Sequence, residues 1–431
     1  MSNDILSLII LAVCMILYIT EFFPVAITAV ASAALMALLG IIPQSQALAG
    51  FSSETVFIVA GMMVVGTTLL ETGVAHDIGK AVVHIGRNND NLALCMLIMV
   101  GLLLSSFMNN STATATLIPV FFGIIVPAVG KLHEKDWMLP LAVATNVGGL
   151  LTLLGSTPQL LLHSYMQAHD LRPFGFFEYG KMGIWVCLAF IVYSLTIGRV
   201  IMRRIVKRNP GHSEYYENFS EDLKNIVTLE GACKIRKTVS AGILIVAVTL
   251  MAVSDAMPLS AIAVMAAVSC VMFDCISLKT VYRKLDWTTV FVLAGTIGFA
   301  TGLDKSGAGK LITDTILSFT GEDFGAHGIF AIIVVLAAIL TQFMSNTATC
   351  AMFLPIALSF ASTLDISPYP MLMGVAMSAS CSFSTPIATP AMTLVLSPGG
   401  YRFTDYIRWA SLLNLISVIM IIILVPIFWP F

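Results

Sequence analysis

The sequence predicts an all-α polytopic membrane protein built from two inverted repeats, each of five spans and one re-entrant hairpin. Three observations lead there. Apolar runs recur from Ile5 to Trp429, many near the roughly 20 residues that cross a bilayer. The second half of the chain repeats motifs of the first in order. Basic residues gather on one face of the topology that these runs define.

Of 431 residues, 58% are hydrophobic and 11% charged, against roughly 25% charged in a soluble domain. The net charge of −2 gives no reason to expect a nucleic-acid partner. The 8 cysteines are scattered, mostly inside apolar runs, without metal-type spacing or a disulfide framework. The first run, Ile5 to Ile19, follows Asp4 rather than a basic segment, so it reads as a span and not as a signal peptide.

Self-similarity organises the rest. Thr55-Val56-Phe57-Ile58-Val59-Ala60-Gly61 returns 234 residues later as Thr289-Val290-Phe291-Val292-Leu293-Ala294-Gly295. Leu70-Glu71-Thr72-Gly73 matches Asp304-Lys305-Ser306-Gly307 at the same offset. Phe107-Met108-Asn109-Asn110-Ser111 matches Phe343-Met344-Ser345-Asn346-Thr347 at 236, and a proline follows each, Pro119 and Pro355. The first repeat is placed at 1–202 and the second at 237–431, with a charged linker at 203–236.

Full spans are expected near 4–22, 24–42, 54–72, 138–168 and 182–202, and again near 237–254, 258–275, 287–303, 369–397 and 406–429. Amphipathic helices are expected at 74–88 and 307–320, each with one apolar stripe. Two short apolar arms with a polar joint follow each stripe, within 91–130 and 328–362. The joints, Asn109-Asn110-Ser111-Thr112 and Ser345-Asn346-Thr347, suit the tips of re-entrant hairpins; two ordinary spans joined by a surface loop are the other reading. If the hairpins do not cross, 18 of the 22 Lys and Arg fall on one face, which the positive-inside rule makes cytoplasmic. Both termini are then external, in a multi-pass protein of the inner membrane.

Non-helical backbone at membrane depth is tolerated only where protein or a cavity satisfies it. Besides the two tips, long spans break at Gly155-Ser156-Thr157-Pro158 and Ala388-Thr389-Pro390. A Thr before a Pro suits an N-cap followed by the first helical residue. A lone break of this kind is usually a proline kink, but a pair in corresponding positions marks a ligand site. Helix N-termini converging there favour an anion, and hydroxyl and carbonyl oxygens favour Na⁺. Ser105 and Thr341 place another hydroxyl one turn before each tip. A Ser/Thr/Asn cluster can also be plain helix–helix glue. No Lys, Arg or carboxylate lies in either hairpin or broken span, as a proton relay would require. Glu21 and Asp274, the nearest carboxylates, fall near span ends. No hydrolase or P-loop motif appears, so an enzyme is not expected.

At these residues the chain resembles the divalent anion/sodium symporter family of the ion transporter superfamily, over nearly its whole length. Ser345-Asn346-Thr347 matches the family's Ser-Asn-Thr hairpin signature, and Asn109-Asn110-Ser111 is an altered first copy. Gly155-Ser156-Thr157-Pro158-Gln159 and Ala388-Thr389-Pro390-Ala391-Met392 look like its Gly-Thr-Pro-Pro-Asn and Ala-Thr-Pro-Pro-Asn breaks, with departures, and Pro398-Gly399-Gly400-Tyr401 also fits. The resemblance implies one sodium site from Ser105, Asn109, Asn110 and the Gly155 backbone. It implies another from Thr341, the Met344 backbone, Asn346 and the Ala388 backbone. A small anion, di- or tricarboxylate or sulfate, would sit near Asn110, Ser111, Ser156, Ser345, Asn346, Thr347, Thr389 and Pro390. No organic cofactor is implied; sodium is the coupling ion. Homodimers with an elevator motion are implied, the amphipathic helices serving as connecting arms. A sodium/proton antiporter or arsenite-type carrier of the superfamily, and a channel-like or structural membrane protein, stay open as other readings.

Overall fold

The computed structural model describes residues 3–20, 22–74, 90–121, 134–208, 234–253, 257–308, 311 and 325–431. Nearly all of the expected amphipathic helices, most of the linker, Glu21 and the end of the first hairpin's second arm lie outside those residues. No strand occurs among the described residues. In the first half the helices are α1 (Asn3–Thr20), α2 (Val25–Leu38), the short α3 (Gln44–Ala47) and α4 (Glu54–Glu71). A helix pair follows, α5 (Asp90–Ser105) and α6 (Asn110–Val120), then α7 (Lys135–Gly148), α8 (Thr157–Ala168), α9 (Gly180–Leu195) and α10 (Ile197–Arg208). The second half has α11 (Lys234–Val253), α12 (Leu259–Met272), α13 (Leu278–Lys284) and α14 (Trp287–Ser306). Its helix pair is α15 (Gly325–Leu340) and α16 (Asn346–Thr363), followed by α17 (Pro368–Ser380), α18 (Pro390–Leu394) and α19 (Phe403–Phe428).

Among the described residues, two helices are long and apolar enough to cross a membrane, Ile235–Val253 and Phe403–Phe428; α9 and α10, bent by 46°, pass the same test only when taken together as one span. The other apolar segments are shorter or broken, and the breaks fall where the sequence places Gly, Ser, Thr and Pro. The outward face is apolar. On α19, Ile407, Leu415, Ile419, Ile423 and Ile427 are exposed at helical spacing, while Trp409, Asn414 and Ser417 turn inward. A stripe of this length and polarity suits lipid rather than water.

The repeated motifs occupy corresponding places. Gly73 and Gly307 both have positive φ, 80° and 78°, and each turns the chain just past the end of α4 or α14, a left-handed position that glycine takes without strain. Gly61 of α4 lies against α12, where an added β-carbon would meet the Ala263 carbonyl oxygen at 2.6 Å. Gly295 of α14 lies against α2, where a β-carbon would lie 2.5 Å from the Ala29 carbonyl carbon. The offset of 234 relates both glycines and both alanines. Each motif helix therefore packs backbone to backbone on a helix of the other half, the close approach that small residues permit between membrane helices.

The helix pairs are shared in the same way. α6 packs on α7 and on α18, while α16 packs on α17 and on α8. Each pair is thus completed by the half-helix of the opposite half.

These crossings predict that Gly295→Val and Gly61→Val each cost at least the roughly 1–3 kcal/mol of an overpacked core. Thermal unfolding of detergent-purified protein should show both losing stability. Gly242→Val should not, because a β-carbon there meets nothing within 4 Å.

Candidate functional site

Both helix-pair tips are built by side-chain caps. Asn109 precedes α6, and its Oδ1 accepts from Ser111 N at 2.9 Å. Ser345 precedes α16, and its Oγ accepts from Ala348 N at 3.2 Å. These bonds satisfy first-turn N–H groups that the helix cannot pair. At the second break Thr389 is the N-cap, accepting from Met392 N at 3.3 Å, and Pro390 opens α18. At the first break the cap falls one residue earlier than the Thr-Pro pairing suggests. Ser156 takes the extended cap conformation, Thr157 begins α8, and Pro158 sits second, still within the turn whose N–H groups have no helical partner.

Behind each tip the hydroxyl one turn earlier points at the central asparagine. Ser105 Oγ donates to Asn110 Oδ1 at 2.7 Å; Thr341 Oγ1 donates to Asn346 Oδ1 at 3.0 Å. The same end of the Asn110 amide lies 3.0 Å from the Thr145 carbonyl oxygen and 2.8 Å from that of Gly155. Three oxygens thus converge on it at the first tip, and with no cation among them the amide nitrogen is the end that satisfies all three. Two glycines make this possible: a β-carbon on Gly149 would lie 2.6 Å from Asn110 Oδ1, and one on Gly155 2.5 Å from the Gly149 Cα. At the second tip Ser382 Oγ donates to Asn346 Oδ1 at 2.7 Å, and the Ala379 carbonyl, 2.6 Å from Thr341 Oγ1, competes with Asn346 Oδ1 for the one Thr341 proton.

The residues before the tips anchor them to the breaks. Thr152 Oγ1 donates to the Ser106 carbonyl, and Ser106 Oγ shares its proton between the Leu102 carbonyl at 2.7 Å and the Gly148 carbonyl at 3.2 Å. Gln342 Nε2 donates to the Cys381 carbonyl at 3.0 Å, its Oε1 accepts from Ser384 N at 2.9 Å, and Thr385 Oγ1 donates to the Gln342 carbonyl. The two halves repeat the connection with different side chains.

One cleft of about 1120 Å³ collects the expected ligand residues: Asn109, Asn110, Ser111, Gly155, Ser156, Ser345, Asn346, Thr347, Ala388, Thr389 and Pro390. Ser105, Thr341 and Met344 do not line it; all three are fully buried behind the tips. Across the cleft lie Asp286, Thr288, Thr289 and Val292 of the α14 end. Among the described residues lining it, Asp286 alone is charged, and it is exposed. The remaining polar lining is hydroxyl, amide and backbone. The sequence reading missed Thr145, Asn146, Ser380 and Ser382, fully or almost fully buried beside the tips and breaks. Asn146 carries the one legible signal, a primary amide in an apolar run. Thr289 was visible only as part of the repeated motif.

This geometry separates lining from backing. In a background without native cysteines, Ser111→Cys and Thr288→Cys should react with a small hydrophilic thiol reagent on the order of tenfold faster than Thr341→Cys or Ser382→Cys, since a thiol reacts by its access and ionisation. Equal rates would mean that the cleft is misplaced.

Comparisons with known proteins agree with this architecture. The citrate transporter family (CitMHS) matches residues 15–363 and 323–431. An uncharacterized transporter, YfbS of Escherichia coli (strain K12), is 35% identical over 188 residues, covering 44% of this chain and 30% of that protein. An uncharacterized transporter of Haemophilus influenzae is 26% identical over 447 residues, 98% of this chain and 91% of the relative. The sodium-dependent dicarboxylate transporter SdcS of Staphylococcus aureus (strain MRSA252) is 23% identical over 451 residues, 96% of this chain and 84% of the relative. The crystal structure of the YdaH transporter of Alcanivorax borkumensis superposes with a TM-score of 0.56 at 13% identity, covering 100% of this chain and 99% of that one. The chain belongs to the citrate transporter family of the ion transporter superfamily; it is a multi-pass membrane transporter and not an enzyme.

Proposed function

We propose that this protein carries a small divalent anion across the cytoplasmic membrane in symport with sodium, a di- or tricarboxylate first and sulfate as the alternative. The observation that carries the proposal is the double role of the tip asparagines. Asn110 and Asn346 each turn one end of the amide back into a buried cluster of oxygens, Asn346 its own oxygen, and both also line the cleft. Oxygen clusters of this kind suit a hard, singly charged cation. A cleft lined by N–H and O–H groups at the starts of α6, α8 and α16 suits an anion.

On this reading Ser105, Asn110 and the Gly155 carbonyl hold one sodium ion, with the Thr145 carbonyl as a further ligand. Thr341, Asn346 and the Met344 and Ala388 backbones hold the other. Asn109 borders the first site while its side-chain oxygen serves the helix cap. Ser111, Ser156, Ser345, Thr347, Thr389 and Pro390 meet the anion. The relative named a sodium-dependent dicarboxylate transporter supports the ion and the substrate class. The helix pairs act as re-entrant hairpins in two inverted repeats, and a homodimer supports an elevator motion. The basic face is cytoplasmic and both termini are external. An antiporter or arsenite-type carrier would call for a carboxylate beside the tips, whereas Asp286 of the cleft lining is exposed.

Orientation is tested by impermeant thiol labelling of intact cells. Ser2→Cys should react and Ser213→Cys should not, and the reverse pattern would invert the topology. Transport is tested in proteoliposomes, where uptake of succinate, citrate or sulfate should require a sodium gradient and survive a proton ionophore. Asn346→Asp keeps an oxygen for the cation but opposes the anion with a charge. At about 4 Å and an effective dielectric near 20 the repulsion is about 4 kcal/mol, on the order of a thousandfold in affinity. Uptake should vanish while the protein stays folded and still gains thermal stability from sodium. Near-normal uptake by the folded variant would remove Asn346 from the site.

A further inference from the structure

We propose that Asn146 relays sodium occupancy at the first tip to the anion-binding hydroxyl of Thr389, through paired turns of the Asn110 and Asn146 amides; the proposal rests on the sodium-coupled anion reading above. Asn146 lies in α7, fully buried, and joins two places in different halves of the chain. Its Oδ1 accepts from Asn110 Nδ2 at 3.1 Å, and its Nδ2 donates to Thr389 Oγ1 at 3.1 Å. A second contact between the same groups, Thr389 Oγ1 to Asn146 Oδ1, is longer at 3.4 Å.

The Asn110 amide has two competent orientations. With its oxygen inward it joins the Ser105, Thr145 and Gly155 oxygens, an arrangement that a cation favours because three of the four cannot donate to one another. With its nitrogen inward it donates among the Thr145 carbonyl at 3.0 Å, the Gly155 carbonyl at 2.8 Å and Ser105 Oγ at 2.7 Å, and its oxygen faces Asn146. That second orientation brings two oxygens together unless Asn146 also turns and donates to Asn110.

Each state sets the Thr389 proton differently. A hydroxyl has one donor and two acceptor positions. In the cation-favoured state Thr389 Oγ1 accepts from Asn146 Nδ2 and from Met392 N. Both acceptor positions are then filled, and the O–H has only the long 3.4 Å contact to Asn146 Oδ1 to give up when it donates into the cleft that Thr389 lines. In the other state Asn146 presents its oxygen to Thr389 and takes that proton, so the hydroxyl offers an anion nothing. Sodium therefore makes Thr389 a donor. By reciprocity of coupled binding, an anion held by Thr389 favours sodium at the first tip.

A related contact supports the assignment. Ser156 and Thr389, the two break caps, share φ of −142°. Just as Asn146 of the first half reaches Thr389, Ser380 of the second half reaches Ser156, with 3.2 Å between the hydroxyl oxygens. That contact carries no amide and ends within its own helix, where Ser380 Oγ bonds the Ala376 carbonyl at 2.9 Å. The relay thus runs from the first tip to the second break alone.

Purified full-length protein in detergent tests it by calorimetry with succinate, citrate and sulfate, each in sodium chloride and in choline chloride. In the wild type, sodium should tighten the bound anion within the 5–150-fold range usual for linked sites. Asn146→Leu, with Asn146→Ala as the smaller replacement, should bring that ratio towards one while sodium alone still raises the unfolding temperature. Thr389→Ser should keep the coupling and Thr389→Val should lose it with the anion. A purely structural Asn146 would weaken both ligands and leave their ratio intact, so an unchanged ratio in a folded Asn146 variant overturns the relay. A wild-type protein that binds none of the three anions overturns the transport reading and the relay with it.

Discussion

Backbone that leaves the helical ladder inside a membrane has to find hydrogen bonds within the protein, and the four interruptions in this chain find them in one another. The first tip is tied to the first break through Ser106, Thr152 and Gly148, and the second tip to the second break through Gln342, Cys381, Ser384 and Thr385. The two breaks are tied across the halves through Asn146–Thr389 and Ser156–Ser380. None of the four could persist alone in an apolar interior, because each would strand polar groups. Gathered together they form a polar core, and the cleft is its open side.

That arrangement explains why the halves interlock rather than sit side by side. A hairpin completed by its own half would leave the other half's interruption unsatisfied. Instead α18 packs on the first pair and α8 on the second. The glycine crossings of α4 on α12 and α14 on α2 do the same for the apolar part of the molecule. Where no water competes, close backbone contact supplies dispersion over many atoms, and a single β-carbon at Gly61 or Gly295 would end it.

The cleft's described lining holds one exposed carboxylate and otherwise hydroxyls, amides and backbone. Among the described residues lining it, no guanidinium or ammonium group sets the sign of the field. The field, on the proposed reading, is set by which way small dipoles point, and amide orientations in turn respond to what the buried oxygens hold. On the proposed reading, coupling between cation and anion is a direct outcome of this economy, since the same asparagines serve both.

The class, the repeat and the places where helices stop were legible in the sequence because each depends on local chemistry. Apolar runs, the repeated motifs that hold Gly73 and Gly307, the polar joints at 109–112 and 345–347, the Thr-Pro pair at 389–390 and a hydroxyl one turn before each tip are all short-range patterns. The cap at Ser156 was misplaced by one residue because proline is acceptable at either of the first two helical positions, so the Thr-Pro pair did not decide between them. Thr145, Asn146, Ser380 and Ser382 were not legible as site residues. Their roles come from partners on other elements, as far away as Thr389 from Asn146, and no periodicity encodes a contact across 243 positions. Local pattern determined where this chain departs from a helix. Only the tertiary structure decided which departures face one another, because that choice is made by the need to satisfy buried polar groups across the two halves.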